Sequence, residues 1–398
     1  MKTNQQWGMK MNKFLALVVL EIKSIFADRS ILLTIFGGII MYSILYPLPY
    51  SQQVSRNAEI VVIDYDRSSM SRELIRMVNA SPDTRITGQV DSVRDAEALI
   101  EQGGIKGFLI IPEHFRRDLL MKKAVTLSLG GDATYFMTYS TIASGILKAG
   151  GTLSAQIKVA RLTVDKENIL LAKQQWQPAS LNLQPVFNQV NGYLDYVVPA
   201  VFILILQQTL LIGSGILSGS QNERSRAKEQ GYWLTASPTL LLLARSCVFL
   251  SLYLVFSLYY FGFALDIYGV NRLAAAWDIL KLLVPFLLAV VCLGVALGQL
   301  YNQAETATQV ILFSSMPVLF SSGFVWPVSE IPTWLVAVSQ LFPSTAAIQG
   351  LLQLNQMGAN FEMVRHFQTQ LLIQGFVYAL LAIILLRYKQ RKYRISAV

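Results

Sequence analysis

The chain has 398 residues, of which 53% are apolar and only 14% charged, and its mean hydropathy is +0.45; soluble domains carry about a quarter charged residues, so a soluble protein is excluded. Its 33 Lys+Arg exceed 24 Asp+Glu to give a net charge of +9, a surplus whose meaning depends on where it sits. Two cysteines in long apolar stretches, Cys247 and Cys292, and two histidines, His114 and His366, rule against a disulfide framework and against zinc or haem chemistry.

Residues 1–30 read as a helix lying in the cytoplasmic membrane interface. Leu15, Val18, Val19, Ile22, Ile25 and Phe26 fall on one helical face and Lys13, Glu21, Ser24 and Asp28 on another. The alternative is a cytoplasmic extension of the first span. A crossing helix needs about 20 apolar residues, because about 30 Å of hydrocarbon is divided by a rise of about 1.5 Å per residue. The first such stretch, 31–50, begins too late and lacks the small-residue cleavage site of a signal peptide, so it is expected to stay in the chain as the first span.

Residues 51–192 are polar and nearly neutral, with 16 Lys+Arg and 14 Asp+Glu, and long enough for a domain. Their pattern is α/β. Strands are predicted at 59–64, 84–89, 106–111 and 124–129, and helices at 68–79, 92–102 and 133–175. Asp64 and Asp66 could pair as a glycosidase-type dyad, but as acids without a third feature they read as solvated loop residues. Ser68 and Ser69 have no neighbouring base, and Ser68 reads as a helix cap.

Residues 193–398 hold five more uncharged windows, 197–217, 248–265, 282–300, 308–326 and 371–386. The predicted fold class is therefore an α-helical polytopic membrane protein of six transmembrane helices, with an α/β extracytoplasmic domain inserted between helices 1 and 2. Lys2, Lys10, Lys13, Lys23 and Arg29 precede the first span, and Arg387, Lys389, Arg391, Lys392 and Arg394 form a tail, 387–398, after the last. These ten cations face only Glu21 and Asp28, which assigns both termini to the cytoplasm and leaves no surplus for nucleic acid.

The cytoplasmic loop 218–245 is the only one long enough for a helix along the membrane face. Within 218–238, Glu223, Arg224, Arg226, Lys228 and Glu229 with Trp233 offer ion pairs and one aromatic anchor to a docking partner; a solvated loop obeying the positive-inside rule is the alternative. Leu217-Ser-Gly-Ser-Gln221 looks like the signature sequence of a transport ATPase, yet no Gly-Lys dipeptide exists to build a phosphate loop, so no nucleotide-binding site is expected. The outer segment 323–345 contains Gly323, Phe324, Trp326, Pro327, Pro332, Trp334 and Pro343, a broken, interface-seeking pattern expected to re-enter the membrane and line an exit, or else to form an amphipathic outer loop. Gly215 with Gly219 and Gly294 with Gly298 are spaced for close helix packing. No span window holds Asp, Glu, Lys, Arg or His, so ion coupling is unsupported and the energy source is expected outside the bilayer.

Phe187-Asn188-Gln-Val-Asn-Gly-Tyr193-Leu-Asp-Tyr196-Val-Val-Pro199, Glu229-Gln-Gly231 through Ser237-Pro238, and Gly323-Phe-Val-Trp-Pro327 with Ile331-Pro332 and Leu341-Phe-Pro343 stand in an order that resembles the permease subunits of ABC-2 type transporters, above all the drug-exporter-like group with a large outer domain after the first span. Tyr232 stands where that group usually has threonine. The resemblance implies a subunit of the bacterial inner membrane without catalytic, cofactor or metal residues of its own. It implies a second permease, as homodimer or paralogue heterodimer, and two copies of a separate ATPase that bind ATP and Mg and act through the loop 218–238. Hydrophobic or amphipathic small molecules are the expected cargo, and a periplasmic adaptor is the expected partner of the outer domain. A membrane-anchored envelope receptor using that domain is the competing reading.

Overall fold

The computed structural model of the protein describes residues 2–50, 56–121, 123–133, 136–164 and 193–395. The chain divides into two compact units, residues 1–51 with 192–398 and residues 52–191.

The first unit opens with α1 (Lys2–Ala27) and α2 (Arg29–Tyr50). Asp28 separates them: its backbone is extended and its carboxylate accepts the amides of Ser30 and Ile31 at 2.9 and 3.2 Å, so it caps a new helix at this point. α2 is not uniform, because a widened turn at Leu33–Gly37 interrupts its α-helical ladder. On α1 the inward face carries Leu17, Glu21 and Ile25, whereas Leu15, Val19, Ile22 and Phe26 are exposed. Glu21 is thus buried, not on a solvated polar face as the sequence pattern suggests.

The second unit is built on a four-stranded sheet of order β2-β1-β3-β4, formed by β1 (Ala58–Asp64), β2 (Thr84–Gln89), β3 (Gly107–Ile111) and β4 (Ser128–Gly131). β1 is parallel to β2 and β3, and β4 is antiparallel to β3. Parallel neighbours need crossovers, supplied by α3 (Ser69–Asn79) and α4 (Val93–Glu101), each opened by a serine cap, Ser68 and Ser92. α5 (Phe115–Leu120) and α6 (Phe136–Val164) follow; the remainder of the predicted helix, 165–175, lies outside the described residues. Side chains alternate as a pleat requires: Ile60, Val62 and Leu109 pack with Leu74, Val78 and Ile142, and Val61, Ile63 and Phe108 pack with Ala96 on the other face. β4 lies further along the chain than the predicted 124–129 and includes two glycines, because the Phe108 ring covers Gly130 where a Cβ would not fit. Asp64 accepts the amides of Asp66 and Arg67 and the Ser71 hydroxyl, and Asp66 accepts the Arg116 amide, so both acids hold loops in place.

The first unit resumes with α7 (Leu194–Arg226), α8 (Tyr232–Thr235) and α9 (Pro238–Ile267), then α10 (Ala276–Gly298), α11 (Ala304–Ser321), α12 (Thr333–Ser339), α13 (Pro343–Asn355) and α14 (Phe361–Ile395). α7 is the spine. It is buried along nearly its whole length and packs against α10, α11 and α13. Among the described residues, five helices, α2, α7, α9, α10 and α14, are long and apolar enough to cross a membrane, and α12 with α13, bent by 95°, forms a sixth candidate as a broken span or re-entrant pair. The window 308–326 does not hold as one apolar helix: α11 has 18 residues, about 27 Å at about 1.5 Å each, includes Ser314, Ser315 and Pro317, and stops before Gly323, whose φ of +86° ends the ladder.

The predicted loop 218–245 is also shorter in the structure. α7 continues through Arg226 and α9 starts at Pro238, leaving 227–237 as the connection. The small residues of the stretch Gly213–Ser220 are contact points. A Cβ on Gly219 would lie 2.7 Å from the Gln303 carbonyl oxygen, and one on Gly215 2.7 Å from the Ala307 Cβ. Gly294 and Gly298 meet Ser214 and Ser218 of α7 in the same way. All four predicted packing glycines therefore close contacts inside this chain. Gly219→Val should cost about 1–3 kcal/mol through backbone displacement, read as a lower melting midpoint in detergent. Gly262→Ala, where a Cβ meets nothing within 4 Å, should leave the midpoint unchanged.

Candidate functional site

Arg245 lies about 10 Å along α9 from Pro238, at about 1.5 Å per residue, with 0% of its surface exposed. The hydropathy windows leave it out because it is charged, and its charge is answered from another element. Its Nε and Nη2 donate to Glu21 of α1 at 2.8 and 2.9 Å, a bidentate pair. Nη1 donates to Ser218 at 3.1 Å and Nη2 to the Gln221 carbonyl oxygen at 2.8 Å, both on α7. Four hydrogen bonds to three side chains compensate the guanidinium for its lost water. Both residues lie outside the six predicted windows, which hold no charge; among the described residues one ion pair is enclosed where α1, α7 and α9 meet.

This pair is the base of a polar latch. Gln221 donates through Nε2 to the Tyr232 hydroxyl at 3.2 Å, and that hydroxyl lies 3.0 Å from the Ser24 hydroxyl of α1. Burial first, and then the Glu21 carboxylate, push the Tyr232 phenol up to about 12. Trp233 donates its indole N–H to Ser225 at 2.8 Å, and the Trp233 and Ala236 carbonyls accept from Gln390 of α14 at 2.7 and 3.0 Å. Asn222 donates to the carbonyls of Gly298 and Tyr301 at 3.1 and 2.9 Å, and Arg226 donates to the Asn302 carbonyl. The 227–237 connection is therefore tied to α1, α7 and α14, and the end of α7 to the α10–α11 turn.

The residues singled out from sequence divide into two groups here. Trp233 and Arg226 join the latch. Glu223, Arg224, Lys228 and Glu229 are exposed, with Arg224 and Glu229 loosely paired at 3.7 Å and Lys228 at a φ of +61°. Their side chains form an exposed surface over the end of α7 and the start of the connection. Glu21, Ser24, Gln221, Tyr232 and Arg245 were not legible as a group, because they are spread over more than 200 residues and no local pattern links them. Ser218 and Gln221, which give the ATPase-like look to 217–221, are ligands of Arg245 inside the bundle.

The segment 323–345 is also assembled in an ordered way. Gly323 adopts its left-handed conformation against Gln349 and Val328, and Gln349 donates to the Ser322 carbonyl at 2.8 Å. Pro327 and Pro332 precede short helical turns, Phe324 and Pro343 are buried, and Trp326 is exposed. The bend between α12 and α13 is fixed from both sides. The Ser344 amide donates to Gln207 of α7 at 2.8 Å, and Gln374 and Tyr378 of α14 donate to the Gln340 and Leu341 carbonyls. The preceding motif, Phe187 to Gly192, lies outside the described residues.

Between α2, α7 and α11 runs a cleft of about 620 Å3. Leu33, Met41, Val201, Leu204, Leu312 and Leu319 make its lining largely apolar, and Gly37 and Gly38 let α2 approach α7 closely, a Cβ at Gly38 falling 3.3 Å from Thr209. Gln208 also lines the cleft, and its buried side-chain oxygen has no hydrogen-bond partner among the described residues. A cavity of this size and polarity suits a drug-sized apolar molecule.

Removing one partner of the enclosed pair leaves the other charge buried and alone. Glu21→Met or Arg245→Met should each cost about 3–5 kcal/mol, whereas the double variant should cost clearly less; melting midpoints of the four proteins in one detergent give the comparison. Tyr232→Phe removes two hydrogen bonds, about 1 kcal/mol each. The unfolded chain ionises this phenol near 10 and the folded one near 12. The stability advantage of the wild type over Tyr232→Phe is therefore full below pH 10 and is lost as the pH rises through 12.

No curated protein matches the chain significantly. A family model described as ABC-2 family transporter protein matches residues 29–384, from the first residue of α2 to within α14. Most of the chain, including the enclosed pair's Arg245, the 227–237 connection, the bent pair and the cleft, falls within that match, and the protein belongs to the ABC-2 transporter family.

Proposed function

We propose that the chain is the permease subunit of an ATP-driven exporter that carries a hydrophobic or amphipathic small molecule, drug-like or lipid-like, outward across the bacterial inner membrane. Family membership implies association with an ABC ATPase in a membrane-embedded assembly. In this reading two copies of the ATPase bind ATP and Mg, and a second permease, the same chain or a paralogue, completes the assembly. Both basic ends lie in the cytoplasm. An even number of crossings follows if α11 crosses as a short span and the bent pair returns to the outer face. Residues 52–191 then stand outside, where an adaptor protein can be their partner.

The observation that carries the reading is the latch. The end of α7 presents Glu223 and Arg224 outward and the connection 227–237 presents Lys228 and Glu229, while Tyr232 and Trp233 bond to α1 and α7. α7 also forms one wall of the apolar cleft. A push on the connection by an ATPase has a bonded route to the helix that lines the cargo space. Gln208 supplies the cleft's one orphaned polar group and would select cargo carrying a hydrogen-bond donor.

The test is reconstitution of the full chain with the ABC ATPase encoded beside it. Copurification and ATP-dependent accumulation of a lipophilic dye in inside-out vesicles are expected. Tyr232→Phe should lower dye moved per ATP hydrolysed by about fivefold, since about 1 kcal/mol corresponds to that factor. Gln208→Leu should lower transport of dyes with an N–H or O–H donor and spare those without. Absence of ATPase binding, or ATP-independent dye movement, would overturn the proposal.

A further inference from the structure

Beside the latch is a second, polar cavity of about 490 Å3, set where α1, the start of α2, the end of α7 and Trp233 meet. Its charged lining is Lys23, Arg29, Arg224 and Asp28. The one acid is already engaged, because Asp28 accepts the amides of Ser30 and Ile31. Arg224 is held only by Glu229 at 3.7 Å, with side chains 58% and 61% exposed, a pairing worth little in water. Lys23 and Arg29 have no ion-pair partner among the described residues. Three cations therefore line one polar hollow against the single carboxylate of Asp28, a surplus of positive charge.

The position and flanks of the hollow say which anion fits. Arg29 opens the first candidate span and Arg224 lies two residues before the end of the second, so the cations stand at the depth of lipid headgroups. Leu20, Leu217 and Trp233 supply apolar wall, and α1 carries the exposed stripe Leu15, Val19, Ile22 and Phe26 alongside. A soluble phosphate or an acidic side chain has no use for such flanks; a phosphate joined to acyl chains does. We propose that this cavity binds the phosphate of an anionic phospholipid of the cytoplasmic leaflet, with Lys23, Arg29 and Arg224 as its cations.

The site adjoins the coupling route. Ser24 and Gln221 line the hollow and are also the two residues that hold the Tyr232 hydroxyl. A bound headgroup settles against the closed latch and favours it, so the anionic lipid content of the membrane sets how firmly the connection is tied to α1. This regulatory consequence rests on the exporter reading; the binding itself does not, and is measured on the chain alone.

The full chain, purified in neutral detergent, is mixed with equal amounts of phosphatidylglycerol and phosphatidylcholine, and retained lipid is counted by native mass spectrometry. Phosphatidylglycerol should be retained about tenfold or more over phosphatidylcholine. Lys23→Gln with Arg29→Gln should lower that preference by about tenfold or more, and Arg224→Gln by about fivefold, at about 1 kcal/mol per cation near the surface. Arg387→Gln with Arg391→Gln removes the same charge from the exposed tail and should change it less than about twofold. Equal losses in the pocket and tail variants would mean diffuse attraction and overturn the site. So would equal retention of the two lipids, displacement of phosphatidylglycerol by inorganic phosphate at equal concentration, or binding of a polyglutamate peptide without binding of lipid.

Discussion

The bidentate contact between Arg245 and Glu21 constrains everything around the 227–237 connection. A guanidinium inside a helical bundle is tolerated only when carboxylate and amide oxygens meet it in a fixed plane. That requirement brings α1 against α9 and orients Gln221 and Ser218 on α7 toward the same point. Once Gln221 is oriented by Arg245, its amide nitrogen is left to meet Tyr232, and through Tyr232 the connection is bonded to Ser24. One ion pair thus sets the places of four elements, and the low local dielectric makes each bond in the chain sensitive to the others.

The second constraint is closeness. α7 is crowded by α10 and α11, and the crowding is possible because Gly215, Gly219, Gly294 and Gly298 meet small partners there: Ala304, Ala307, Ser214 and Ser218. Lipid gives no hydrophobic push between helices, so surface fit has to hold them. On its other side α7 faces the cleft, which Gly37 and Gly38 of α2 also line. The same helix is rigid toward α10 and α11 and exposed to a cavity toward α2, an arrangement suited to a moving wall carried on a firm spine.

Much of the fold was legible because it depends on local rules. Ser68 announces its helix, Glu59–Asp64 holds the unbroken apolar run of a buried strand, and long apolar runs mark the spans. What was not legible depends on distant partners. Hydropathy excluded Arg245 from its span because the window cannot know that Glu21, 224 residues earlier, neutralises it. The glycine-serine stretch before Gln221 looked like a loop because its value lies in contacts with α10 and α11. Within the connection, Trp233 was visible as an anchor, while Tyr232 stood out only as a departure from the family's usual threonine and gave no sign of the bonds it makes.

Asp28 ends α1 by starting α2, and this small break has a geometric result. From Glu21 to Ala27 the chain is one rigid helix, so the angle at which Glu21 faces Arg245 is fixed by the number of residues separating it from the cap. An α-helix turns about 100° per residue, with 3.6 residues per turn. Adding or deleting a single residue between positions 21 and 28 would rotate the carboxylate well away from the guanidinium and bring part of the Leu15–Phe26 apolar stripe toward it. Seven residues, close to two full turns, would restore the facing but shift it by about 10 Å along the axis. The segment from Glu21 to Asp28 is therefore a protractor as well as a tether: its length, independent of its composition, sets the phase at which α1 meets the bundle.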